Sequence, residues 1–173
     1  MKRTIYLILT FVAFLIIGCT NPNKDVEELT PEARQEIASS IRLSFNEMVK
    51  LLENNSLENV EKWINYYVES DDEAWINKPA LWFNMLTFYP TKEAIRKVWT
   101  PTENSRLGTY INIEEDYVAV LSPESATYVL KGTFSVIDTD GNTGADIPMS
   151  GIHVYVLRDD EWKIVHTHYS WEE

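Results

Sequence analysis

Apolar residues recur every three or four positions along the early part of the chain. Ile37, Ile41, Phe45, Met48 and Leu52 form one such series, the spacing of a single buried helical stripe. Thr30-Pro31-Glu32-Ala33 opens that helix with a capping threonine, a proline in the first turn and an acid. Glu53-Asn54-Asn55 closes it. Ser56 can cap a second helix running to about Tyr67, with Leu57, Val60, Ile64 and Tyr67 facing inward. Ser70-Asp71-Asp72-Glu73 reads as a turn. Trp75-Ile76 and Leu81-Trp82-Phe83 are candidate short strands, and Met85 to Tyr89 fits a strand or a loop. A third, short helix spans Thr91 to Trp99, capped by Thr91 and ended before Pro101.

Beyond this point the period falls to two. Leu107 to Glu114 and Tyr117 to Leu121 read as separate strands. Thr127 to Asp138 reads as a longer one, ending in the turn Thr139-Asp140-Gly141-Asn142. Ile147 to Arg158 and Glu161 to Trp171 form a last hairpin across Asp159-Asp160. Helices followed by consecutive strands predict an α+β domain, with the helices on one sheet face.

The first residues follow a different pattern. Lys2 and Arg3 precede Ile5 to Ile17, which is almost wholly apolar. This is the layout of an export signal, and the run is shorter than the ~20 residues of a spanning helix. Leu15-Ile16-Ile17-Gly18-Cys19 resembles the lipobox of bacterial lipoproteins. The resemblance implies a signal peptide over 1–18 and cleavage after Gly18. It also implies lipidation of Cys19 with diacylglycerol, whose acyl chains are of the palmitate kind. Cys19 is the one cysteine of the chain, which excludes an intrachain disulfide and a cysteine metal cluster. Residues 19–30 read as a polar tether with a reach of roughly 20 Å, and 31–173 as the domain. The expected setting is the bacterial cell envelope, with the domain facing the periplasm or the exterior.

Charge narrows the partners. Removing Lys2 and Arg3 with the leader leaves 13 of the 15 basic residues against 27 acidic ones, a net charge of −14. A nucleic-acid partner is not expected, because phosphate binding needs a basic face. Adhesion to anionic lipid beyond the acyl anchor is disfavoured on the same ground. The six tryptophans, nine tyrosines and six phenylalanines are generous for a domain of this size.

The ending Arg158-Asp159-Asp160-Glu161-Trp162-Lys163-Ile164-Val165-His166-Thr167-His168-Tyr169-Ser170 resembles the final hairpin of SnoaL-like domains. The run Tyr67-Val68-Glu69-Ser70-Asp71-Asp72-Glu73-Ala74-Trp75 is similar to their helix, acidic turn and strand. Lys92-Glu93-Ala94-Ile95-Arg96 sits where their short helix does. The resemblance covers Pro31 to the C-terminus. It implies the nuclear transport factor 2-like fold, a curved antiparallel sheet wrapped around helices to make a cone with a pocket. The family holds isomerases, dehydratases, cyclases and non-enzymatic binding or assembly modules, so the fold alone leaves function open.

Strand alternation puts Trp162, Ile164, His166, His168 and Ser170 on one face of the last strand. A tight turn sets Leu157 opposite Trp162 and Tyr155 opposite Ile164. Continued without a break, that register sets His153 opposite His166 and Gly151 opposite His168. All three histidines then meet on one surface. By the resemblance this is the concave face, so His153, Tyr155, Trp162 and Ser170 line the expected pocket beside His166 and His168. Three readings are open. The histidines are buried, hydrogen-bonded polar residues of a cone interior; or His166 and His168 are general acid/base catalysts; or three imidazoles hold one zinc ion. The resemblance calls for no metal and no cofactor.

The other face would then carry Ile152, Val154, Val156, Val165, Thr167, Tyr169 and Trp171. It is too apolar for water, and a second copy of the sheet is its natural cover, which predicts a homodimer. Other signals are weaker. Glu69, Asp71, Asp72 and Glu73 suit a solvated turn. Asp138 to Asn142 is loosely like a calcium loop but suits a hairpin turn. Trp63, Trp75, Trp82 and Trp99 suit the core, with one or two of them at the pocket. There is no Gly-rich phosphate loop and no nucleophile elbow, and no residue maps onto the catalytic aspartate of ketosteroid isomerases. The sequence therefore points to a lipid-anchored domain that binds a small, partly apolar ligand in an aromatic pocket. An isomerase or dehydratase, and a dimeric assembly module without catalysis, are the alternatives.

Overall fold

The structure, a computed structural model, describes residues 28–68, 82–84, 87–89, 91–99 and 108–171. The leader, Cys19, the Ser70–Glu73 turn and the Trp75-Ile76 strand lie outside the described residues.

Helix α1 spans Pro31–Leu52, and the Thr30 hydroxyl accepts from the Ala33 N–H at 3.2 Å to cap it. Its expected stripe is buried through Ile41, Phe45, Met48 and Leu52, with Ile37 half-buried beside it. Helix α2 spans Leu57–Ile64, capped by Ser56 through the Asn59 N–H at 3.2 Å. It is shorter than expected: a turn carries the chain from Ile64 to the buried Tyr67. Leu57 was expected inside and is 62% exposed. By spacing it shares the stripe of Val60 and Ile64, but it stands at the first position of a short helix, at the open end of that stripe. Strands β1 (Trp82–Asn84) and β2 (Thr87–Tyr89) follow. Helix α3 (Lys92–Trp99) is capped by the Thr91 hydroxyl, which accepts from the Ala94 N–H at 3.1 Å. Among the described residues no helix is long and apolar enough to cross a membrane.

Strand β3 is continuous from Gly108 to Ser122, where two strands were expected. The polar pair Glu115-Asp116 is not a turn. A bulge at Glu114, between the pairs Ile113–Gly132 and Glu115–Lys131, absorbs one residue instead. Gly132 permits it, since a Cβ there would fall 2.0 Å from the Asn112 carbonyl oxygen. Strands β4 (Ser125–Ile137), β5 (Ile147–Arg158) and β6 (Glu161–Trp171) complete a sheet in the order β2-β1-β6-β5-β4-β3. All neighbours are antiparallel except β1 and β6.

Two turns behave as their residues suggest. Asp159 and Asp160 both take positive φ, 51° and 62°, the geometry of a two-residue hairpin turn. After β4, the Asp138 carboxylate accepts the backbone N–H groups of Asp140 and Asn142, and Gly141 takes φ +83°. The helices pack on one face of the sheet, α1 over β3 and β4, α2 on α1, and α3 on α2. The core lies between them and the concave sheet face.

Candidate functional site

The last hairpin starts in the expected register, with Leu157 opposite Trp162 and Tyr155 opposite Ile164. It does not keep it. Val165 is an extra residue, so Val154 pairs with His166 and His153 with Thr167. The backbone gives the reason. Ile164 turns both its polar groups toward the chain leaving α2: its N–H donates to the Tyr66 carbonyl at 2.7 Å and its carbonyl accepts from Val68 N–H at 3.0 Å. Ile164 and Val165 are both buried in succession, in keeping with a bulge where the alternation of faces is interrupted.

One slipped residue reverses every side chain beyond it. Thr167, Tyr169 and Trp171, expected outside, pair with the concave-face residues His153, Gly151 and Met149. His166, His168 and Ser170, expected inside, pair with the convex-face residues Val154, Ile152 and Ser150. The three histidines therefore do not meet: His153 is on one face of the sheet and His166 and His168 are on the other. The three-imidazole zinc site fails for this reason, and among the described residues no three histidine, cysteine or acidic side chains stand close enough to share an ion. Of the expected pocket residues, His153 and Tyr155 are fully buried on the concave face, and Trp162 is half-buried at its hairpin end. Ser170 is exposed on the convex face, 2.9 Å from the Ser150 hydroxyl.

His153 is the centre of the concave face. Its Nδ1 lies 3.0 Å from the Thr167 hydroxyl, which lies 3.3 Å from the Tyr67 hydroxyl. Phe45 from α1 meets the imidazole at 4.9 Å between ring centres, and Tyr169 meets it edge-on at 5.2 Å. Tyr169 reaches that position because its partner is Gly151, where a Cβ would fall 2.6 Å from the ring. Burial lowers the His153 imidazole to about 3, with the charge of His166 through the sheet a smaller contribution. Burial raises the phenols of Tyr67 and Tyr155. The cluster is thus uncharged at neutral pH, the cheaper state in a low-dielectric interior.

Two polar atoms in this cluster have no hydrogen-bond partner: Nε2 of His153 and the hydroxyl of Tyr155. A buried unpaired group of this kind costs roughly 1–3 kcal/mol. Toward the β3 edge, the Tyr128 hydroxyl donates to Asp116 Oδ2 at 3.2 Å, and Arg42 holds both oxygens of that carboxylate at 2.9 and 3.0 Å. The Arg42 hydrogen bonds keep the Asp116 carboxyl below its ordinary range, so this triad acts as a tie between α1 and β3. Among the described residues, clefts open on the surface at the hairpin end of the sheet and over its far edge. One of about 590 Å³ is bordered by Tyr67, Lys92, Arg158 and Lys163. His153 borders none of these clefts.

His153 and Tyr155 lie on the concave face as the alternation predicts, whereas the alternation did not place Thr167, Tyr67 and Tyr169 beside them. A signal was present. Trp162 and Ile164 share one parity, whereas Val165, Tyr169 and Trp171 share the other. The change of phase at Ile164-Val165 marks the bulge.

This architecture is the nuclear transport factor 2-like fold, and several solved structures similar to it carry that name. A candidate scytalone dehydratase from Novosphingobium aromaticivorans superposes with a TM-score of 0.64 at 13% identity, covering 83% of this chain and 89% of that one. The association domain of C. elegans CaMKII gives 0.59 at 12% identity, over 80% and 98%. A nuclear transport factor 2-like superfamily protein from Salmonella enterica gives 0.56 at 15% identity, over 84% and 94%. No protein-family model matches the sequence, and no curated protein is significantly similar to it.

Proposed function

We propose that this chain is a lipid-anchored envelope protein whose domain binds a small, partly apolar molecule on the concave face around His153. The observation that carries this reading is the pair of unpaired atoms, His153 Nε2 and the Tyr155 hydroxyl, inside an aromatic lining. A neutral ligand with one hydrogen-bonding group would offset their cost, and the rings would bury its apolar part. Binding is favoured over proton transfer. An imidazole lowered to about 3 is a poor base at neutral pH, and His166 and His168 lie across the sheet from this cluster. The lipobox-like run ending in Cys19 supports the anchor, with the domain in the periplasm or at the cell exterior.

The test uses 2-naphthol, a neutral bicyclic phenol, as the probe. Titration should shift the imidazole resonances of His153, and Tyr155→Phe should weaken binding about tenfold, as expected for losing a hydrogen bond worth ~1–1.5 kcal/mol. Probe binding that leaves His153 unmoved, or no saturable binding of any neutral aromatic fragment, would count against the reading.

A separate observation favours self-association through the convex face. Tyr117 and Val129, directly paired across β3 and β4, are 65% and 40% exposed, and Leu121 is 65% exposed. With Ile152, Val154 and Val156 they make an apolar sheet surface. Four strands about 4.8 Å apart and more than ten residues long give a face on the order of 600 Å² before side chains are added. That approaches the ~800 Å² per partner of a stable interface. The association domain among the similar folds supports a second copy of this chain as the cover.

A further inference from the structure

The hydroxyls behind His153 decide which of its ring nitrogens carries the proton. Tyr67, Thr167 and His153 are joined by two contacts, phenol to threonine and threonine to Nδ1. All three side chains are buried, and each hydroxyl has one proton to give. If Nδ1 donated to Thr167, one proton would be stranded. Either Thr167 would pass its own on to Tyr67, whose O–H then meets no acceptor, or Tyr67 would donate to Thr167, whose O–H then meets none. One arrangement uses every proton: Tyr67 donates to the Thr167 oxygen, and Thr167 donates to a bare Nδ1. Buried polar groups are normally satisfied, which selects that arrangement. Burial keeps the imidazole neutral, so its single proton sits on Nε2.

The unpaired Nε2 is therefore a donor. The unpaired hydroxyl of Tyr155 has a donor's need as well: burial raises its phenol, so it keeps a proton that has no acceptor. The two residues alternate on β5 and share the concave face, with ring centres 6.3 Å apart. We propose, resting on the concave face as the binding site, that its ligand is a neutral molecule offering an acceptor oxygen that bears no hydrogen, as in a ketone, ester or amide, to Nε2–H of His153 and O–H of Tyr155. Such an oxygen has two lone pairs to offer. A ligand that only donates would leave both protein protons unpaired. A phenol can accept through its oxygen but must also place its own proton. An anion fits poorly. The charged groups bound to this lining through Tyr128 are Asp116 and Arg42, and they are paired with each other. Phe45 and Tyr169, packed against the imidazole, suit the apolar remainder of the ligand. Thr167 is a positioning residue here, since it acts by fixing the proton on the far side of the ring.

The experiment uses the full lipidated protein in nanodiscs, with empty nanodiscs as the blank. The matched probes are 2-acetylnaphthalene and 2-isopropenylnaphthalene, which share a shape and differ in a methylene replacing the carbonyl oxygen. The ketone should bind about tenfold tighter, as expected for a buried hydrogen bond. Indole, which donates and does not accept, should bind no better than the hydrocarbon. In isotope-labelled histidine the ring-nitrogen resonances separate a protonated nitrogen from a bare one. His166→Gln and His168→Gln identify the His153 pair by elimination. Nε2 of His153 should carry the proton in the free protein and shift when the ketone binds. Thr167→Val should release that preference and shrink the ketone's advantage, whereas Thr167→Ser should keep both. A proton on Nδ1 in wild type would overturn the assignment of donors, whatever binds. Equal binding of ketone and hydrocarbon, tighter binding of indole, or binding of 2-naphthol without the ketone would overturn the ligand class and leave the concave site standing. No saturable binding of any of the four would remove the site itself, and the ligand class with it.

Discussion

The Thr167 hydroxyl stands 3.0 Å from Nδ1 of His153, on the strand beside it and on the same face of the sheet. That contact joins the Tyr67 hydroxyl to the imidazole through a single buried oxygen. Thr167→Val is nearly isosteric but leaves two buried polar groups without their partner. A loss of roughly 1–3 kcal/mol is expected, and Thr167→Ser should recover most of it. Urea denaturation of the three proteins measures this. A valine variant as stable as wild type would mean the contact is not made.

His153 gives the domain a pH dependence of known sign. In the folded protein burial holds the imidazole neutral down to about pH 3, against an ordinary value of 6.5. Between those values the unfolded chain binds the extra proton. The stabilising contribution is therefore complete above pH 6.5 and is lost as the pH falls toward 3. From pH 7.5 to 4.5 the loss from this one group is roughly 2.5–3 kcal/mol. His153→Phe should lack that part of the slope, whatever its absolute stability. Parallel stability curves for the two proteins would contradict the burial of a neutral histidine.

The sequence announced the elements better than their faces. All three helix caps, Thr30, Ser56 and Thr91, do what their side chains suggest, because a cap is a contact within one turn of chain. The Asp159-Asp160 turn also behaves as expected, since its two positive φ values are local. The faces of β6 were misassigned because they depend on Tyr66 and Val68, nearly a hundred residues earlier, which bond to Ile164 and create the bulge. Parity counted outward from a correctly placed turn carries over only as far as the first irregularity. The same limit split β3, where Glu115-Asp116 reads as a break. Asp116 in fact sits in a continuous strand, bound by Arg42 from α1.

The anchor is tested apart from the domain. Cys19→Ala should abolish incorporation of labelled palmitate and leave the protein unprocessed at Gly18. Wild type should partition wholly with membranes and resist extraction by salt, since each buried methylene contributes ~0.8 kcal/mol. Mass spectrometry of wild type showing an unmodified residue at position 19 would refute the lipid anchor without touching the fold.

Gly151 and Tyr169 give the sharpest test of the register. A Cβ on residue 151 would lie 2.6 and 2.7 Å from two carbons of the Tyr169 ring and 3.5 Å from Leu130. The ring must then move, and it is wedged edge-on against His153. Gly151→Ala should cost roughly 1–3 kcal/mol, the usual range for an overpacked interior. The same change made together with Tyr169→Ala should cost about 0.5 kcal/mol or less beyond the tyrosine change itself, because the clash is gone. The coupling between the two sites is then of order 1–2 kcal/mol. In an unbroken hairpin the partner of Gly151 would be His168, and the coupling would move there. Pairing Gly151→Ala with His168→Ala should give costs that simply add. Additive behaviour with Tyr169 and coupling with His168 would restore the unbroken strand. It would also bring His166 and His168 back beside His153 on the concave face.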